Sequence, residues 1–423
     1  MDINFHYYAV KTIAIFAGFS EKDAQVIAQY SQFVDDYNVY SACFVKDVDQ
    51  RWVDSGIVTP QNDGYVFNPI QTGFISLGDM INLCSVDYQI RITVPFHFIP
   101  MEKINKQKIN DNKTTRERLT TQAFDYDGNA DNKMPIFILL RNAREKYQKA
   151  AQNSGSREYT ESLIRIGAVL HVFADTFAHH GFSGLQDYEN YGYITKCVNI
   201  GDESKDYTYS QQYKGYLIPF SQLAAIGHAE FNHAPDMTYA KYSWKKSSNA
   251  EQKSTKQYTI VSSRNNILEF LRAAESIYKY LWHCVQGDAK ADIIKNLFLP
   301  TPLQMSLITG FSYEYDTDKP DINKLNEVWN QAFNGNNYHY KREELLDDQM
   351  HPSKDGENYD YIGLEDYEFG DVTQYDIENY ANGLKFDSID DDLFAFNLAA
   401  KEILTEAVEL DTFKQAKNPL LNE

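Results

Sequence analysis

The sequence predicts a mainly α protein, a multi-helix domain carrying a small β insertion. Apolar residues recur at helical spacing through long stretches that begin at capping residues, one region alone switches to period two, and no internal repeat interrupts the order. Tyr8 to Phe16 is apolar and periodic, and Gly18 ends it. Ser20 and Asp23 then form a capping box for a second helix from Glu21 to about Asp36. That helix closes on Asp35 and Asp36, where its dipole disfavours anions, a penalty that a nearby cation offsets.

From Gly64 to Pro100 the pattern changes. Tyr88, Ile90, Ile92 and Val94 alternate with other residues up to Pro95-Phe96-His97-Phe98, which predicts a hairpin or small sheet near 64–100. Residues 101–133, rich in Asn, Asp and Lys, read as a surface loop. Two long helices follow, Pro135 to about Gln152 and Glu158 to about His180. A further helix is expected from Phe220 to about Glu230, with Pro235 as a terminator, and an exposed loop from Lys245 to Lys256. Helices resume at Asn265 to Gln286, Ala291 to Phe298 and Ile322 to Phe333. The stretch from Glu343 to Asp392 is dense in Asp, Glu and Tyr and reads as a solvated loop, without the spacing of a calcium-binding loop. Leu393 to Leu410 closes the chain as an amphipathic helix.

The composition narrows the function. The chain has 423 residues, 43% hydrophobic and 14% aromatic, enough for a sizeable core with Tyr hydroxyls at its rims. A net charge of −20 repels nucleic acid backbones and anionic lipid surfaces, so stable duplex binding is not expected. It leaves open a phosphoester substrate at a cation centre, whose carboxylate ligands themselves add negative charge. Cys43, Cys84, Cys197 and Cys284 are scattered and read as buried thiols. The first residues lack the basic and apolar regions of a signal peptide, and no apolar run is long enough to span a bilayer. These features predict a soluble cytoplasmic protein, with leaderless export open.

The segment His171-Val-Phe-Ala-Asp175-Thr-Phe-Ala-His179 carries the most chemistry. Positions four residues apart share a helix face, so two imidazoles and a carboxylate meet inside an apolar run. Burying them is costly unless something pairs with all three, and a divalent metal does so. His180 lies off that face. Other residues in comparable settings are His6, Asp35, Asp36, His97, His228, His233 and Asp236, enough for two or three ions sharing carboxylate bridges. His283, His339 and His351 have no such context.

The order of these residues resembles the zinc-dependent phospholipase C and single-strand-specific zinc nuclease superfamily. The string HVFADTFAHHGFSG with GHAEFNHAPD is more similar still to a bacterial family of unassigned function. The resemblance implies an all-helical fold with two or three Zn2+ ions. His6 would be the early His, Asp35 or Asp36 the bridging and proton-accepting Asp, His97 within FHF the third ligand, and His171 with Asp175 the HxxxD pair. His179 would be their companion and His228 the late His, with His233 or Asp236 as its partner. Met1 or Asp2 would stand in for the N-terminal ligand of those families.

The expectation is therefore a helical metal-binding domain over 1–310 and an acidic, Tyr-rich extension over 311–423. The activity implied is phosphodiester hydrolysis on a phospholipid headgroup or nucleotide. A zinc-dependent single-strand nuclease or nucleotidase is the first alternative. A non-enzymatic, metal-stabilised helical protein that binds a protein partner through its acidic C-terminal region is the second.

Overall fold

Capping residues set the helices of this chain. The computed structural model describes residues 1–37, 43–61, 64–73, 85–110, 119–129, 131–187, 190–211, 226–246, 260–317, 319–333, 337–340, 350–352 and 385–413. Helix α1 (Val10–Ala17) ends at Gly18, whose φ of 109° suits a residue without Cβ. The Ser20 side chain accepts from the Asp23 amide and starts α2 (Glu21–Asp36). Pro135 occupies the first turn of α3 (Pro135–Ala150), where its missing N–H costs nothing. Ser156 caps α4 (Arg157–Ala178) through the Tyr159 amide, and Asn265 caps α5 (Asn266–Gln286) through that of Leu268. Helices α6 (Thr301–Phe311), α7 (Ile322–Ala332) and α8 (Asp391–Ala407) complete the main set.

Helix α4 is the centre. Every residue from Ser162 to Ala178 is buried, and α2, α3, α5 and α8 all pack against it. At Gly167 a side chain would collide with the Ile27 carbonyl and the Ser31 amide, so this glycine lets the α2 backbone lie directly on α4. That close approach brings the C-terminal end of α2, with Asp35, beside His171. One apolar core runs from Met1 through the N-terminal helices to Val408, so α6, α7 and α8 share it with the first half of the chain.

Two small sheets flank the helices. In the first, β1 (Cys43–Val45), β2 (Val58–Gln61), β3 (Gly64–Phe67), β7 (Met350–Pro352) and β8 (Lys385–Ile389) lie in the order β2-β3-β1-β8-β7, antiparallel except for β1 with β8. In the second, β4 (Gly192–Asn199), β5 (Ala240–Lys246) and β6 (Ile260–Asn265) form an antiparallel meander.

The expected sheet over 64–100 is corrected in its second half. Gly64–Phe67 is a strand, but Val86–Tyr88 is helical and Gln89–His97 is a π-helix. Gln89 and Thr93 are buried along with Ile90, Ile92 and Val94, and the Thr93 hydroxyl donates to the carbonyls of Gln89 (2.9 Å) and Gly184 (2.5 Å). Two polar members of the alternation, Gln89 and Thr93, thus lie inside the core, and only Arg91 is exposed. A second π-helix, Asn4–Ala9, leads into α1. Such wide turns are rare and gather at functional sites, and these two carry His97 and His6.

Other boundaries shift as well. Of the helix expected at 220–230, residues 220–225 lie outside the described ones, Ile226 bridges to Gln186, and after a turn at Gly227 and His228 only the 3-10 turn Ala229–Phe231 is helical. Lys245 and Lys246 belong to β5, while 247–259 lie outside the description, as does most of the acidic stretch between 343 and 392. Among the described residues no helix is long and apolar enough to cross a membrane.

Candidate metal centre

The residues predicted from sequence come together at the C-terminal half of α4. Among the described residues three groups could hold a metal ion: His6, His171 and Asp175; Asp35, His97 and His171; and His179, His228 and Asp236, each with its ligand atoms within 4.8 Å of one another. Besides α4, which carries His171 and Asp175 and ends at His179, four elements supply them. The first π-helix carries His6, the end of α2 carries Asp35, the second π-helix ends on His97, and the turn around Ala229–Phe231 brings His228 and Asp236.

Asp175 joins the groups. One of its oxygens ion-pairs with the Met1 amine and lies 3.1 Å from His6 Nε2; the other lies 3.4 Å from His171 Nε2 and 3.5 Å from His97 Nδ1 and His179 Nδ1. Asp35 Oδ1 is 3.7 Å from His97 Nδ1 and 3.6 Å from His171 Nε2. Asp236 meets His179 Nε2 at 3.0 Å, His228 Nε2 at 3.2 Å and the Met1 amine at 3.2 Å. Burial opposes the charge of that amine, yet Asp175, Asp236 and Asp35 together raise its pKa to about 11. Burial also works against Asp175 and Asp236, but the surrounding imidazoles and the amine hold both carboxyls well below the usual carboxylate range.

The outward nitrogens of the imidazoles are committed. His171 Nδ1 donates to the Ser31 carbonyl (2.9 Å), His97 Nε2 to that of Thr72 (2.8 Å), His179 Nδ1 to that of His97 (2.6 Å) and His228 Nδ1 to that of Asn232 (2.9 Å). A carbonyl only accepts, so each of these nitrogens bears a proton, and in the corresponding neutral tautomer the other nitrogen turns a lone pair inward. Burial, chiefly, lowers the His228 pKa to about 4, which leaves the ring neutral at pH 7 with Nε2 facing Asp236 Oδ2, acceptor against acceptor. Burial, His171 and the Met1 amine likewise lower His6 to about 4, and its Nδ1 is buried without a hydrogen-bond partner among the described residues. Lone pairs aimed at carboxylates fit a cation between them, and carbonyls fixing the far nitrogens are the usual support of histidine ligands.

The geometry also sorts the alternatives left by the sequence. Asp35 faces His97 and His171, whereas the Asp36 carboxylate accepts from the Tyr340 hydroxyl and, at 3.4 Å, from the Gln32 amide. His179 rather than His180 faces the groups; His180 is exposed on the far side, near Arg264, Arg272 and Lys246. Asp236 is the partner of His228, while His233 lines a separate groove. Sequence patterns gave no signal for two supporting features. Arg264 donates to the carbonyls of Ala178 and, at 3.3 Å, His180, and Lys246 Nζ to that of Gly181 (2.9 Å), so two cations from the second sheet hold the C-terminal end of α4. Asn232 adopts φ 48° and ψ −131°, the single positive φ outside glycine among the described residues, and thereby turns its carbonyl onto His228.

Fold and site together define a mainly helical protein with a buried, three-part His/Asp constellation. The chain belongs to a family of unknown function, DUF6765, whose model matches residues 1–409. No curated protein and no solved structure matches it.

Proposed function

We propose that the protein is a metal-dependent phosphodiester hydrolase of phospholipase C type with up to three Zn2+ ions. The observation that carries the proposal is the pairing of inward imidazole lone pairs with Asp35, Asp175 and Asp236 across three adjoining groups. Imidazole and carboxylate donors suit zinc. Bound ions would supply positive charge to a phosphoryl oxygen and lower the pKa of a water.

The chain's own part follows from exposure. The Asp35 side chain is 29% exposed, against 14% for Asp236 and 2% for Asp175, so Asp35 stands on the open side as the proton acceptor. Asp175 and its imidazoles form the closed floor that fixes the spacing. An open side favours catalysis over a purely structural site, which closes around its ion.

The test is hydrolysis of phosphatidylcholine and of single-stranded DNA by the purified protein, with metal analysis on the same sample. Chelator-sensitive release of a phosphorylated headgroup, restored by zinc, supports the proposal; cleavage of DNA alone moves it to the nuclease alternative. Inertness toward both substrates, with at most one bound ion, returns the protein to a metal-stabilised interaction role.

A further inference from the structure

Beside the turn that carries Asp236 lies a groove of about 900 Å³, within the size range of small-molecule sites. Its walls are the segment 199–211, the turn that carries Asn232, His233 and Met237, and the segment 312–317. Asp236 sits in sequence between His233 and Met237, both of which line the groove. Two further links tie the groove to the metal centre. The Asn232 side chain donates to the Ser210 carbonyl (3.2 Å) at the groove wall while its main-chain carbonyl holds His228. The Tyr315 hydroxyl donates to the Asp2 carboxylate, next to the amine that meets Asp236.

The lining selects against an anion. It carries Asp202, Glu314 and Asp316 against Lys205 as its one lysine, and Lys205 is paired with Glu314 at 2.5 Å. Glu314 also accepts from Asn199 at 3.3 Å, so these polar groups are held in fixed orientations. Tyr239 packs edge-to-face on both Tyr207 and Tyr315, with ring centroids 5.9 Å apart in each pair, which disfavours an open cage of ring faces for an organic cation. Tyr313 lies parallel to Tyr315 and is half-buried, so it offers a ring to an apolar C–H face. Amides, carboxylates and hydroxyls in fixed array with one aromatic ring match a neutral polyol, whose hydroxyls both donate and accept.

We infer that this groove binds a neutral polyhydroxylated group, a sugar or cyclitol ring, as the non-reacting part of the substrate whose phosphoester reaches the metal centre. The assignment of that ring to a substrate rests on the phosphoester reading; its binding in the groove does not.

The experiment has two arms on the full chain with its metals. Ligand-observed NMR with myo-inositol and methyl α-D-glucopyranoside is expected to show binding that Tyr313→Ala weakens about five- to tenfold and Glu314→Gln weakens similarly, with metal content unchanged. Hydrolysis of glycerophosphoinositol is expected to exceed that of glycerophosphocholine, with Tyr313→Ala raising KM and leaving kcat unchanged. Binding of choline in place of the polyols, or of neither, overturns the inference, as does polyol binding that both variants leave intact. Polyol binding without any hydrolysis keeps the groove and sinks the phosphoester reading instead.

Discussion

Replacing Asp175 with Asn removes one charge and almost no volume from the centre of the constellation. This residue is 1% exposed and faces His6, His97, His171, His179 and the Met1 amine. It belongs to the group with His6 and His171, and its second oxygen lies against the two imidazoles that face Asp35. If the proposed three ions are bound, the substitution is expected to remove two of them and leave the one at His179, His228 and Asp236. An ion present at a thousand times its dissociation constant stabilises the fold by about 4 kcal/mol. With an unfolding entropy of about 2 cal/mol/K per residue, a chain of 423 residues gains about 5 °C in Tm per ion. Calorimetry with and without zinc, beside elemental analysis, reads both quantities. The wild type is expected to gain about 15 °C with zinc and the variant about 5 °C, from the same linkage. An unchanged ion count and an unchanged zinc shift in the variant would refute the bridging role of Asp175.

Asp35→Asn is expected to lower phosphodiester hydrolysis at least a hundredfold, the scale of a lost general base, while Asp36→Asn keeps most activity because its partners are Tyr340 and Gln32; equal losses would contradict the assignment. Asn232→Gly releases backbone strain of about 1–3 kcal/mol, so the folded protein is expected to keep or gain stability in urea. The same change loosens the carbonyl that fixes His228, and zinc affinity at that group should fall about tenfold or more by competition with a chromogenic chelator.

His283 supplies the pH test. Its Nδ1 accepts from the Tyr126 hydroxyl (2.8 Å) and Arg144 (3.1 Å), and its Nε2 donates to Asp288 (2.9 Å). Burial, with Arg144 beside it, lowers its pKa below the ordinary 6.5. The unfolded chain then binds the proton more readily, so the stability contributed above pH 6.5 is lost as pH falls through that value toward the depressed folded pKa. Urea midpoints between pH 8 and 5 should fall more steeply for the wild type than for His283→Gln, and identical slopes would count against this network.

What the sequence made legible was local. Ser20 and Gly18 act on their own helix ends, and His171, Asp175 and His179 share a face because helical spacing alone puts them there. His6, Asp35, His97 and His228 were legible as residue types in suggestive settings, but their convergence depends on how α2 lies on α4 at Gly167, which no local pattern encodes. The π-helix Gln89–His97 was missed because Gln89 and Thr93 are buried beside apolar residues and imitate a strand's alternation. Asp35 and Asp36 are adjacent, so only the tertiary partner of Asp36, Tyr340 some three hundred positions away, tells them apart. Arg264 and Asn232 act through backbone carbonyls, a role that leaves no spacing signature.

The most direct test is a crystal of the zinc-loaded protein with diffraction recorded on both sides of the zinc absorption edge. Three anomalous peaks are expected: one beside His6 and Asp175; one between Asp35 and His97, the single free lone pair of His171 Nε2 serving one of these two; and one between His179, His228 and Asp236, with an open position on the Asp35 side. A single peak closed by four protein ligands, or none at these residues, would contradict the multinuclear centre on which the proposed hydrolysis depends.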